Sequence, residues 1–309
     1  MKENKIICFS GWSMLLVLLC TLFSCSEWTQ TETIDRNVSK PWEQDPVLWA
    51  QYTAALRAYK QSEHFMVYAR MHNAPKVASS EKDFMRCLPD SLDIVTLTNA
   101  DHLSQYDVAD LAVMREKGTR VLYQVDYAAR SAEFADVAAL GTYLDQVVAA
   151  VATNGLDGYS FTGTPRMEDA ATAAVAALLV QKLSADEHLL LVFEGDPLFV
   201  TAADRTKVDY FVLDTDRTEN VLDVRLQVLN ALGFAAVPAE KLLLAAEVDA
   251  PLKDEERVEH AAVAEMSRRV ISFGPLGGLG VYNIGGDYYN ADLNYKLIRQ
   301  AIQTLNPSK

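Results

Sequence analysis

The chain has 309 residues, half of them hydrophobic and 23% charged, with a formal net charge of −14 at pH 7. So acidic a surface excludes nucleic acid and polyanionic sugars as partners, because phosphate and sulfate contacts need clustered Lys and Arg. Cys8, Cys20 and Cys25 crowd the first residues and leave Cys87 alone, so no internal disulfide is expected; without Cys-x-x-Cys or His-x-x-x-His spacing, no metal site or cofactor is implied.

Lys2 and Lys5 precede the apolar run Met14 to Cys20, which is too short to span a bilayer and reads as a signal peptide over residues 1–24. It ends in Leu22-Phe23-Ser24-Cys25, which resembles a bacterial lipobox, so Cys25 is the expected lipidated N-terminus. Each buried lipid methylene contributes about 0.8 kcal/mol, enough for several chains to hold a protein at a membrane. The expected location is the outer membrane, exposed at the cell surface, with the periplasmic face as the alternative. Residues 25–45 are polar and aperiodic and read as a tether. One globular domain is expected over 46–309, a length that suits a single α/β barrel of about 250 residues.

Within that domain short β-rich runs alternate with longer helical ones. The strand candidates are Phe65–Arg70, Leu92–Thr98, Arg120–Val125, Gly158–Phe161, Leu189–Phe193, Tyr210–Leu213, Leu242–Ala246 and Gly280–Asn283. Their near-continuous apolar character is that of a parallel sheet covered on both faces. Helices are expected over Val108–Lys117, stopped by Gly118, and Phe134–Thr153, stopped by Asn154-Gly155. Three more are expected over Ala170–Leu183, Glu255–Ser272 and Leu293–Leu305. Eight strands with intervening helices give the (β/α)8 TIM barrel as the expected fold, a single α/β domain. The runner-up, an open doubly wound sheet, is disfavoured because the first strand–helix turn, Arg70 to Ala74, lacks a glycine-rich phosphate cradle.

Such barrels work at the C-terminal ends of their strands. Those ends carry a polar and aromatic set suited to saccharides, whose ring faces pack on Tyr and whose hydroxyls pair with Asp, Glu and Asn. From it, Asn99, Asp126, Glu194, Asp214, Glu247 and Tyr282 are the candidate glycan-binding residues. Arg70, Arg130, Arg166 and Arg217 lie near the same ends, with no pairing assigned.

The fourth strand is the most informative stretch: Asp157-Gly158-Tyr159-Ser160-Phe161-Thr162-Gly163-Thr164-Pro165. Alternation puts Tyr159, Phe161 and Gly163 on one face and Gly158, Ser160, Thr162 and Thr164 on the other. The segment resembles the D-G-x-D-x-D-x-E signature of glycoside hydrolase family 18. It looks most like the D-G-Y-D-x-D-Y-E-P form of endo-β-N-acetylglucosaminidase-like lipoproteins of Bacteroidetes. Gly277-Gly278-Leu279-Gly280-Val281-Tyr282-Asn283 also looks like that subgroup. The resemblance implies a barrel that acts on N-acetylglucosamine-containing glycans by substrate assistance. The last Glu of the signature protonates the glycosidic oxygen, and the Asp two residues before it positions the 2-acetamido group. Here those acids are replaced by Ser160, Thr162 and Thr164, so no catalytic residue is expected. A threonine hydroxyl does not titrate near neutral pH, and loss of general-acid help alone costs about 10²–10⁴-fold.

The leading expectation is an inactive family-18-like lipoprotein that binds glycans such as N-glycans for an uptake system. One alternative is an active endo-glycosidase with relocated carboxylates, Glu194 and Glu247. Another is a structural subunit that docks on an outer-membrane transporter or neighbouring lipoproteins through Tyr282, Tyr288 and Tyr289.

Overall fold

The computed structural model describes residues 40–73, 78–165 and 169–307. The expected signal peptide, Cys25 and Arg166 lie outside them. The chain divides into two units, residues 1–49 and 50–309. In the first, the described residues form a helical turn at Pro41–Gln44, and the rings of Trp42 and Trp49 lie 5.6 Å apart.

The second unit is a closed barrel of eight parallel strands. In chain order they are β1 (Met66–Met71), β2 (Ile94–Leu97), β3 (Arg120–Val125), β4 (Gly158–Gly163), β5 (Leu190–Gly195), β6 (Tyr210–Leu213) and β7 (Leu242–Glu247). After a hairpin of β8 (Pro251–Lys253) and β9 (Glu259–Ala261), β10 (Gly278–Tyr282) closes the barrel between β7 and β1. The expected TIM barrel is present.

Alternation along each strand divides the buried side chains into two layers. Phe161, Phe193 and Phe211 face outward into the shell beneath the helices. Tyr68, Ile94, Leu122, Val192, Val212 and Leu243 face inward and fill the lumen. Burying one such side chain contributes about 1.5–3 kcal/mol, so both layers hold the barrel shut. Gly280 leaves lumenal space for the Val212 side chain of β6, since a Cβ there would meet Val212 Cγ1 at 2.7 Å.

The N-terminal end of the barrel is clasped by a repeated device. Asp93, Asp157 and Asp209 each precede a strand and accept a hydrogen bond from the backbone N–H of the preceding strand, at Val67, Val121 and Leu191, at 2.8–2.9 Å. Asp157, which matches the family signature, is therefore a clasp at the end opposite the mouth. Gly158 next to it adopts φ 145°, and a Cβ there would sit 2.1 Å from the carbonyl oxygen of Leu190.

The helices follow the expected order with shifted ends. α1 (Pro46–Gln61) precedes β1 and was not anticipated by the pattern. α2 (Gln105–Glu116) begins earlier than expected because Ser104 and Asp107 form a capping box. α3 (Val137–Asn154) starts later because Asp136 caps it, and it stops at left-handed Gly155. α4 (Ala170–Leu183) lies where the alanine-rich run predicts. α5 (Val221–Gly233) is a further helix that the pattern did not reveal. The expected helix Glu255–Ser272 is half wrong: Asp254 accepts bonds from Val258 N–H and His260, folding 251–261 into the hairpin, and α6 covers only Ala262–Ser272. α7 (Lys296–Leu305) ends the described chain. Among the described residues no helix is long and apolar enough to cross a membrane.

Candidate functional site

At the C-terminal end the lumen changes from apolar to polar. Tyr68 and Arg70 of β1, Thr96 of β2, Gln124 of β3, Ser160 of β4 and Glu194 of β5 form one connected layer. Glu194 is 3% exposed, and both its carboxylate oxygens are saturated. Oε1 accepts from Tyr68 Oη at 2.9 Å and Gln124 Nε2 at 3.1 Å. Oε2 accepts from Arg70 through Nε at 3.0 Å and through Nη2. Arg70 also lies flat on the Tyr282 ring, 3.6 Å from its centroid. Burial alone would raise the Glu194 pKa, but the Arg70 charge and the three donors outweigh it and hold the carboxyl below the ordinary range. The same pairing holds the Arg70 guanidinium charged against its own burial.

Two of the three fourth-strand positions, Ser160 and Thr162, have been absorbed by this scaffold. Ser160 is fully buried and shares a hydrogen bond of 2.7 Å with Thr96 Oγ1. Thr162 Oγ1 donates to Asp126 Oδ1 at 2.7 Å and accepts from Ala128 N–H at 2.9 Å. Asp126 in turn caps the helical turn Tyr127–Arg130 by accepting from Ala129 N–H. Thr164 lies past the strand end and is exposed. Tyr159 and Phe161 face outward and Ser160 and Thr162 inward, as alternation requires.

The remaining candidates fall into different settings. Asn99 is tied to Asn73: its Nδ2 donates to Asn73 O at 2.6 Å, and Asn73 Oδ1 accepts from Asn99 N–H. The pair clasps the loops after β1 and β2. Glu247 ends β7 on the lumenal side and is half-buried. Asp214, beyond β6, is exposed, and the pKa of nearby Asp216 is pushed up to about 7, first by burial and then by the neighbouring Asp214 carboxyl. Tyr282 and Tyr288 are both buried, and Tyr288 donates to Glu81, so of the three tyrosines only Tyr289 offers an exposed face. Among the described residues no cluster of three His, Cys, Asp or Glu is arranged to hold a metal.

Sequence reasoning missed Tyr68, and it placed Arg70 near the acids without a partner. The signal for both is the alternation of Met66, Tyr68 and Arg70 in β1, with two polar-tipped side chains on the inward phase. Asp216 stands two residues beyond Asp214, past the end of β6.

The family model described as glycoside hydrolase family 18, BT1044-like, matches residues 29–136. That stretch holds β1 to β3 and ends before β4. Among solved structures, a Glu-to-Gln variant of BT1044 is similar with a TM-score of 0.68 at 18% identity, over 87% of this chain and 96% of that one. The endo-β-N-acetylglucosaminidase from Cordyceps militaris has a TM-score of 0.63 at 17% identity, over 82% of this chain and 95% of that one. A chitinase from Bacteroides thetaiotaomicron has a TM-score of 0.61 at 10% identity, over 79% of this chain and 97% of that one. No curated protein matches. The resemblance to family 18 read from the fourth and eighth barrel strands thus agrees with a family match on the first three strands and with the fold as a whole.

Proposed function

We propose that this family-18-like barrel is a lipid-anchored protein that binds N-acetylglucosamine-containing glycans at its mouth without cleaving them. One observation carries the reading: the lumenal acid positions of β4 are hydroxyls spent on the scaffold, and the nearest lumenal carboxylate is locked as an anion. Ser160 and Thr162 have no proton to give at neutral pH, and their hydroxyls already serve Thr96 and Asp126. Glu194, the first candidate for a relocated acid, is held ionised by Arg70 and so is no general acid.

The ligand class rests on the family likeness and on the composition of the mouth. Asp214, Glu247 and exposed Tyr289 offer hydroxyl acceptors and a ring face, the pairing that neutral sugars use. Attachment through Cys25 would hold the barrel at the outer membrane, beside a transporter or neighbouring lipoproteins of an uptake system. Titration calorimetry against high-mannose and complex N-glycans tests the binding; saturable heat supports it, and a flat response across both classes refutes it. Replacing Cys25 by Ala tests the anchoring: the protein should move from the membrane to the soluble fraction, and its retention would refute a lipid tether.

A further inference from the structure

The N-terminal end of the barrel, opposite the mouth, holds a cavity of about 550 Å³. Arg57 and Lys60 of α1, Arg115 of α2 and Arg120 at the start of β3 line it, together with the clasp carboxylates Asp93 and Asp157. Four cations face two anions, so positive charge is in excess here although the chain as a whole carries −14.

Neutral oxygens hold these cations in place. Arg57 Nη1 donates to Glu116 O, and Arg115 Nη2 to Gly155 O at 3.1 Å. Lys60 Nζ donates to Leu92 O and to Thr119 Oγ1, each at 2.6 Å. The Arg57 stem lies over Gly118, where a Cβ would come within 2.9 Å of Arg57 Cγ. Among the described residues, the only carboxylate within 4 Å of any of the four is Asp157, whose Oδ1 stands 3.7 Å from Arg120 Nη1.

The neighbouring acids are committed elsewhere. Asp93 accepts from Val67 N–H and faces His64 Nε2 at 2.9 Å. Asp157 accepts from Val121 N–H, and Asp90 pairs with Lys117. Burial pushes the Lys60 pKa down to about 8; the Asp93 and Asp90 charges oppose that shift and the Lys117 charge adds to it. A largely buried ammonium bonded only to neutral oxygens is stabilised by any anion that reaches it. One Nζ proton of Lys60 and the other guanidinium donors remain for such a ligand, already in position before it arrives.

We propose that this cavity binds a single phosphate group, gripped by Arg57, Lys60, Arg115 and Arg120. Donors that converge from two helices and a strand suit a tetrahedral oxyanion better than a flat carboxylate, and guanidinium forks match phosphate oxygens two at a time. The acidic remainder of the surface turns away a polyanion, so the ligand is small: free phosphate, or the monoester headgroup of a lipid. The site lies at the end of the barrel away from the mouth and is independent of the glycan-binding reading.

The test is titration calorimetry on the detergent-solubilised full chain near neutral pH. The probes are inorganic phosphate and monomeric dihexanoyl phosphatidic acid. Sodium chloride at matched ionic strength and dihexanoyl phosphatidylcholine are the controls. At least one phosphate probe should saturate one site per chain. Arg120→Gln and Arg115→Gln should each weaken that binding about tenfold or more, the range of a charge-assisted hydrogen bond. Both residues are exposed, so these variants keep the test alive if Lys60→Met, expected to act the same way, fails to fold. Comparable affinity for both probes would support free phosphate as the ligand, and much tighter phosphatidic acid the lipid headgroup. Silence from both probes would overturn the inference. So would heat that chloride reproduces, phosphatidylcholine binding as well as phosphatidic acid, or phosphate binding that survives both arginine variants unchanged.

Discussion

Removing the guanidinium of Arg70 should expose how the mouth is held. In Arg70→Met the carboxylate of Glu194, whose side chain is 1% exposed, keeps only Tyr68 and Gln124 as donors. Breaking a buried ion pair from one side costs about 3–5 kcal/mol. For a domain of this size that lowers the melting temperature by roughly 6–20 °C, taking about 2–4 °C per kcal/mol. The pH dependence separates this cause from general disruption. In the intact protein the Glu194 pKa lies below its unfolded value, so its contribution is present above the unfolded pKa and is lost as pH falls through the folded one. In Arg70→Met burial becomes the dominant influence and raises that pKa above the unfolded value. The variant should therefore recover stability as pH drops from 7 to 5, while the intact protein gains nothing from Glu194 over that window. A double variant, Arg70→Met with Glu194→Gln, should regain most of the loss because no bare charge remains. Urea unfolding at pH 7 and pH 5 measures all three. A cost under about 1 kcal/mol, or the same pH slope in variant and parent, would refute the pairing as the element that fixes Glu194.

Other perturbations probe separate parts of the account. Gly158→Ala forces a Cβ to within 2.1 Å of Leu190 O at a positive φ, and should destabilise by about 2 kcal/mol or more; denaturant unfolding that shows no change would contradict the clasp geometry. Thr162→Val leaves Ala128 N–H without its acceptor and Asp126 with only Ala129 N–H as donor, at a cost of about 1–3 kcal/mol, again read by unfolding. Thr164→Glu restores a carboxyl at the exposed end of β4 but no partner at Thr162, so assays on N-glycosylated protein should detect no release of sugar.

The fold was legible because its signals are local. The runs ending at Val125, Leu183 and Leu213 show apolar strands or a helix within a window of a few residues, and Gly155 marks its stop by chain chemistry alone. Failures came where two signals overlapped. α5 buries Val221, Val224 and Val228 but leaves Leu222, Leu226 and Leu229 exposed, so apolar residues surround it and no stripe stands out. The hairpin before α6 carries the same helical spacing as α6 itself, and only the turn chemistry of Asp254 separates the two. At the site, alternation in β4 could be read directly, whereas the link from Arg70 to Glu194 joins residues 124 apart and has no local trace. The raised pKa of Asp216 arises first from burial, which a sequence does not display.

The central claim is that this barrel retains a glycan without breaking it. Its most direct test is mass spectrometry of a complex N-glycan recovered after prolonged incubation with the protein, in the same sample that calorimetry shows to be saturated. The account predicts intact glycan only. Fragments cut within the chitobiose core, above a no-protein control, would contradict it.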